Sequence, residues 1–297
     1  MPTTNAASLD QILATSQLPA LPQSALRLLQ LSQNPDNGPN EFALPIESDP
    51  GLEGQVLKFV NSSYFGFARE ISTIKLALAL VGVRTIQNFA LWSAVFSVVP
   101  NPKCGTLDIK VLWQDSLRRG LFARVTARKL GLKESEDLFT AALLQDMAIP
   151  VLAKELAASY EAVLVEAKGD NRRLAALESE KFGWDHAQAA ENMAKRWSLP
   201  DAISKLIACH TTASIDPTQL PSTIMVLSSL LPAVNSDQWS QRESFGQAFE
   251  RLANGKFSQE SIFGDVDKNY SEVAPMMRLS GSIKSLLDIF DEVPVSA

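Results

Sequence analysis

Apolar residues recur at helical spacing along nearly the whole of this chain, and alternating β-branched runs bounded by turn signals are nearly absent. A chain patterned this way buries stripes, not sheet faces, so the expected class is all-α, a compact multi-helix bundle. The breaks carry their own chemistry. Asn34-Pro35-Asp36-Asn37-Gly38-Pro39 is a strong interruption, and Asp49-Pro50 opens a helix, with the aspartate accepting from free N–H groups and the proline in the first turn. The spacing predicts helices over Leu9–Thr15, Gln23–Gln33, about Glu41–Glu47 (with Pro45 inside it), Pro50 to about Asn61, Ser72–Leu80, Val83–Val99, Ile109–Leu130, Glu134–Asp146 and Val151–Ala157. It continues with Tyr160–Lys168, Arg172–Phe182, His186–Trp197, Asp201–Thr211, Thr223–Leu231, Arg242–Leu252 and Ser271–Phe290, with Ala213–Pro221 read as a linker.

Composition narrows the function classes. Hydrophobic residues make up 46% of the 297, enough for a sizeable core. The net charge of -6 and pI of about 5.1 argue against a general nucleic-acid or membrane-surface binder, since those partners reward a basic face. The most apolar stretch, Leu76–Val99, is interrupted by Gly82, Arg84, Gln87 and Asn88 and reads as buried helix. Two cysteines, Cys104 and Cys209, make no disulfide framework, and the N-terminus lacks the pattern of a signal peptide, so the expected location is cytoplasmic. There is no Gly-rich phosphate loop, no CxxC pair, no HExxH and no serine-nucleophile signature. Any imidazole chemistry rests on His186 and His210 alone.

Several segments gain meaning when taken in order. LPALPQSALRLLQLSQNP, ESDPGLEGQVLKFVNSSYFGF and ISTIKLALALVGVRTIQNFAL are followed by WQDSL, LLQDMAIPVL, FGWDHAQAAENMAKRWSLPD and ISKLIACH. The ordered set, from about Leu18 to His210, resembles the HDOD domain. The resemblance implies a helical fold shared with the HD and HD-GYP phosphohydrolases, a degraded active site, and a role in bacterial signalling beside cyclic di-GMP turnover or two-component systems. It also implies a partition: a domain over 18–213, with an N-terminal helical lobe (18–99) and an HD-like lobe (109–212), and a helical C-terminal extension (214–297).

Within the stretch Leu138–Pro150, the resemblance places Gln145 where the hydrolases carry the His of their His-Asp pair. Gln114, in WQDSL, stands where they carry another His, and Pro150 falls near their catalytic Lys. Asp146, His186 and His210 match polar positions of the family. A neutral amide is a poor ligand for a transition metal, so two glutamines in place of imidazoles remove much of a first coordination shell. The expectation is therefore no cofactor, no metal and no catalysis; if a metal binds at all, Asp146, His186 and His210 hold it. Without the family, Asp146 is a hydrogen-bonded helix-end carboxylate, His186 a structural residue at a helix N-terminus, and His210 a core histidine near a helix C-terminus.

A basic run, Arg118, Arg119, Arg124, Arg128 and Lys129, lies on the long helix. Its plain reading is a solvated face; its functional reading is an anion or nucleotide site at Arg118, Arg119 and Arg124. Tyr64, Phe65 and Phe67 are expected to plug the joint between the lobes, and Trp92, Trp113, Trp184 and Trp197 to be core. The expected function is a non-catalytic regulatory or scaffold protein acting on signalling partners. The alternatives are a metal-dependent phosphohydrolase with a reduced ligand set and a nucleotide-binding sensor. The extension offers two roles, packing on the bundle or forming a homodimer.

Overall fold

The computed structural model describes residues 8–16, 18, 20–34, 36–105, 107–169, 172–212, 216, 218–236 and 238–292. Among them there is no strand, and the helices are α1 (Leu9–Thr15), α2 (Gln23–Ser32), α3 (Pro39–Glu47), α4 (Pro50–Val60), α5 (Ile74–Val81), α6 (Val83–Val98), α7 (Ile109–Lys129), α8 (Ser135–Leu144) and α9 (Ile149–Leu156). Then follow α10 (Ala158–Gly169), α11 (Leu174–Phe182), α12 (His186–Arg196), α13 (Asp201–Cys209), α14 (Leu220–Ser229), α15 (Arg242–Ala253), α16 (Gln259–Val273) and α17 (Leu286–Glu292). The starts follow side-chain chemistry. Ser8, Asp49, Thr73, Asp108, Asp185 and Ser258 each accept a first-turn N–H that has no partner within its helix. Pro45 sits inside α3, which nonetheless starts at Pro39, ahead of the expected Glu41.

The C-terminal region departs from expectation. A single helix over Ser271–Phe290 does not form; α16 ends at Val273, and the chain turns through Pro275 and a left-handed Arg278 before α17. Proline cannot donate the N–H that would continue the helix. Asp267 on α16 then starts α17 by accepting from Leu286 N (2.9 Å) and Leu287 N (3.0 Å). The linker is also shorter than expected: α14 begins at Leu220 with Pro221 in its first turn, and residues 213–215 and 217 of that segment lie outside the described residues.

Helix α7 is the axis. It packs against α8, α14 and α16, and nearly every residue from Leu112 to Ala127 is buried. Gly120 brings α7 and α8 together: a Cβ there would lie 3.1 Å from the Phe139 carbonyl oxygen and 3.2 Å from its ring. The N-terminal lobe packs α3 on α2, α4 and α5, with Phe59 and Phe89 stacked at 4.1 Å between α4 and α6. It meets the second lobe where α6 lies on α8, and Asn88 donates to the Glu136 carbonyl at 2.9 Å. Tyr64 closes the joint over Arg124, and Phe65 packs on Phe59 at 5.0 Å, whereas Phe67, stacked on Phe65 at 6.1 Å, is 38% exposed. Trp92, Trp113, Trp184 and Trp197 are all buried.

The extension packs on the bundle, with Met277 and Leu279 buried. No single helix among the described residues is long and apolar enough to cross a membrane; α5 and α6 pass that test only together, and they are bent by 116° at Gly82. Gly82 there adopts a φ of 94°, a conformation that favours glycine.

Candidate functional site

Three side chains expected from the sequence do converge. Asp146 lies in the turn between α8 and α9, His186 is the first residue of α12 and His210 follows the end of α13. One ligand atom of each lies within 4.8 Å of the others, and all three residues are buried. The His186 and His210 Nε2 atoms are 3.1 Å apart, and they lie 3.4 and 3.7 Å from Asp146 Oδ1.

The local sequence explains the placement. The Asp185 carboxylate accepts from Gln188 N and from Thr211 Oγ1 (2.8 Å), which holds the start of α12 against the end of α13. His186 Nδ1 pairs with Glu178 Oε2 at 2.6 Å, and the same oxygen accepts the His186 backbone N–H at 2.8 Å. Tyr160 donates to the other Glu178 oxygen. His210 Nδ1 meets the Ile207 carbonyl at 2.6 Å, so Nδ1 carries that ring's proton and its Nε2 lone pair faces inward.

Charge decides what this triad can do. Burial alone would lower the pKa of His186, but the Glu178 and Asp146 carboxylates outweigh it and raise it to about 10. Burial and the His186 charge push His210 down to about 4. His186 is therefore an imidazolium whose Nε2–H points at a neutral His210. Asp146 carries an ion pair with Arg119, reaching from α7. Burial opposes its charge, yet Arg119 and the His186 hydrogen bond hold its carboxyl well below the usual range.

A divalent cation here would draw on the Nε2 atoms of His186 and His210 and on Asp146 Oδ1, and both Nδ1 atoms already have the partners that orient a metal-bound imidazole, Glu178 and the Ile207 carbonyl. Arg119 competes for the same carboxylate through Oδ2.

The two glutamines stand elsewhere. Gln114 donates to the Leu279 carbonyl at 2.9 Å, and Gln145 accepts from Ser228 Oγ at 3.1 Å; neither lines the cavity beside the triad. On α7 the residues that face the cavity are Leu112, Asp115 and Arg119, the last two an i, i+4 pair. The basic run is neither a solvated face nor one anion site. Arg118 is buried and donates to the Pro232 and Lys284 carbonyls of the extension. Arg124 is buried between the rings of Tyr64 (4.8 Å) and Phe139 (4.3 Å), while Arg128, at the exposed end of the run, pairs with Glu136. Only Arg119 reaches the triad. Sequence reasoning missed Glu178, Tyr160, Asp115 and Arg173, which surround the site. For Asp115 the helical spacing to Arg119 was a usable signal; for Glu178, on a separate helix from His186, no local pattern pointed to it.

Comparison with known proteins bears on the family and the fold. The HDOD domain family model matches residues 18–213. The structure resembles an HDOD domain protein of unknown function from Geobacter sulfurreducens, with TM-score 0.70, 20% identity, and coverage of 90% of this chain and 96% of that one. It also resembles a provisionally named phosphohydrolase from Shewanella amazonensis, with TM-score 0.69, 22% identity, and coverage of 92% and 97%. A provisionally named signal transduction protein from Marinobacter aquaeolei follows at TM-score 0.62 and 21% identity, covering 91% of this chain and 62% of that one. An uncharacterized Treponema pallidum protein is 27% identical over 200 residues, which are 65% of this chain and 37% of that relative's length. The matched span and the fold together show that this chain belongs to the HDOD domain family.

Proposed function

We propose that this protein is a non-catalytic regulatory or scaffold component of bacterial signal transduction, working through protein partners under the control of a small ligand. The observation that carries the non-catalytic reading is the Arg119–Asp146 ion pair. It places a fixed side-chain cation on the carboxylate that a hydrolase of this fold would offer to a metal. With His186 drawn to its charged form by Glu178 and Asp146, the lone-pair donors of the triad that face inward are His210 Nε2 and Asp146 Oδ1, and the latter's carboxylate is already paired with Arg119. Water activation at neutral pH requires a Lewis acid or a base near the substrate; the triad's neutral imidazole, His210, has its pKa lowered to about 4 and is a weak base, and Arg119 occupies the carboxylate. The signalling role is supported by family membership and by the provisional name of the Marinobacter relative.

The test is direct. Purified protein is expected to contain substoichiometric iron, manganese and zinc by elemental analysis and to leave cyclic di-GMP and p-nitrophenyl phosphate intact with each metal added. Hydrolysis of either compound, lost on Asp146→Ala, would overturn the reading.

A further inference from the structure

We propose that the cleft where the start of α7 meets the turn after α16 docks an acidic segment of a partner protein, with its carboxylates on Lys110 and Arg278 and an apolar side chain against Phe96. The cleft, of about 590 Å³, shares no lining residue with the cavity beside the triad. It is built from the end of α6, the loop and first turns of α7 that follow, and Arg278 and Leu279 of the extension.

Both cations stand where local structure disfavours them. Lys110 is in the first turn of a 21-residue helix, at the positive end of the macrodipole, where a carboxylate is the favoured side chain. Arg278 adopts a φ of 57° in the turn after α16, closed by Leu279 N donating to the Ala274 carbonyl at 2.9 Å. Glycine or asparagine ordinarily fills such a position, because a larger side chain crowds its own backbone there. Residues that break local rules and converge on one surface are expected where binding, not stability, set the choice.

Charge selects the partner's sign. Neither cation has an ion pair or a side-chain hydrogen bond among the described residues. Lys110 reaches over the same turn: a Cβ at Gly281 would lie 3.3 Å from its Nζ. The one carboxylate of the lining, Asp108, is occupied by α7, accepting from Lys110 N (2.8 Å) and Val111 N (3.2 Å). Glu161 stands beside Gly105 but is not part of the lining. Two unpaired cations sharing a cleft on a chain of net charge -6 attract an acidic segment.

Shape selects a peptide over a free small molecule. Lys110 and Arg278 are exposed, so the cleft lies open to a passing chain and does not enclose a ligand. Phe96 is half-buried, its ring 5.0 Å from that of the buried Trp113, and Leu107 and Ile109 are half-buried as well. An apolar wall beside two cations fits an aromatic or aliphatic side chain flanked by aspartate or glutamate.

This inference rests on the reading that the protein works through protein partners. Partners crosslinked in cells to another face would keep that reading and sink this cleft. Turnover of a phosphate ester would sink the non-catalytic reading and leave the cleft standing.

The experiment probes an array of hexapeptides with the full chain, each peptide carrying Phe or Leu between two acidic residues and random residues elsewhere. Control arrays replace the acids by lysine or the apolar residue by serine. Acidic apolar peptides are expected to bind above both controls, and more weakly as salt rises. Lys110→Ala and Arg278→Gly are each expected to weaken the best binder at least tenfold in fluorescence anisotropy, with the melting temperature kept or raised. Lys110→Arg should keep the binding. No acidic peptide above the controls, unchanged affinity in both variants, or a lowered melting temperature in both would refute the proposal. Dimerisation in sedimentation that both variants abolish would assign the cleft to a second copy of the chain and refute it too.

Discussion

At the scale of single residues, the protein is built around a charge that cannot leave. Asp146 has almost no contact with solvent, and Arg119 is its one guanidinium partner. Removing one member of a buried pair strands the other, which typically costs about 3–5 kcal/mol. Arg119→Ala is accordingly expected to lower unfolding free energy by that amount in urea melts; a loss below about 1 kcal/mol would show that water already serves Asp146. The histidines predict the pH profile. His186 titrates at about 10 in the folded state, above its unfolded value of 6.5, so its stabilisation is whole below pH 6.5 and is lost as pH rises toward 10. His210 titrates at about 4, below that value, so between pH 6.5 and 4 the unfolded chain takes up a proton that the folded one refuses, and stability falls. Stability should therefore peak near neutrality. His210→Gln should flatten the acid limb and His186→Gln the alkaline one, as read from melts across pH 4–10. The Tyr160 phenol, its pKa raised by burial and by Glu178, adds to the alkaline loss above pH 10 and would persist in the His186 variant.

At the scale of elements, α7 decides the arrangement. Its contact with α8 depends on Gly120, where an added side chain runs into the Phe139 backbone and ring. Gly120→Val should cost about 1–3 kcal/mol through overpacking, despite valine's better helix propensity. A melting temperature equal to the parent's would mean that α8 can slide. The same helix fastens the extension through three residues on neighbouring turns: Gln114 to Leu279, Asp115 to Val234, and Arg118 to Pro232 and Lys284. Arg118→Ala leaves two carbonyls short of a charged donor and should cost about 2–4 kcal/mol. Limited proteolysis should then cleave first within residues 232–285; an unchanged digestion pattern would count against the fastening role.

At the scale of the whole molecule, the two lobes meet over Arg124. Its Nε and both Nη atoms are buried without a hydrogen-bond partner, and the guanidinium is held by two aromatic faces with the Glu136 carboxylate at 3.6 Å. A desolvated cation in such a place is weakly stabilising at best. Arg124→Met, of similar reach and apolar, is expected to change stability by no more than about 1 kcal/mol or to raise it. A loss above about 3 kcal/mol would make the cation a structural requirement of the joint.

Much of this was legible in the chain before folding. Cap residues such as Asp49, Asp108 and Asp185 act on N–H groups two or three positions away, so local sequence suffices to place helix starts. The stripes that bury one face of each helix, and hence the all-α class, follow from the same short-range periodicity, and the ordered segments were enough to suggest the family. The C-terminal error came from the same source: Pro275 was present to be read as a stop, and the stripe Ile262, Phe263, Val266, Tyr270 and Val273 was present to be read as a helix. The convergence of Asp146, His186 and His210 was suggested by family likeness, not by spacing.

What only the tertiary structure decided is which charges meet. Gln114 and Arg119 sit on one helix, yet one faces Leu279 and the other Asp146, because packing against α16 and α8 sets the rotation of α7. Glu178 reaches His186 from a different helix, and that contact determines the imidazole's proton. Periodicity reports which face is apolar, a property of each helix alone. Pairing of buried charges depends on where separate helices end up, and no single segment contains that information.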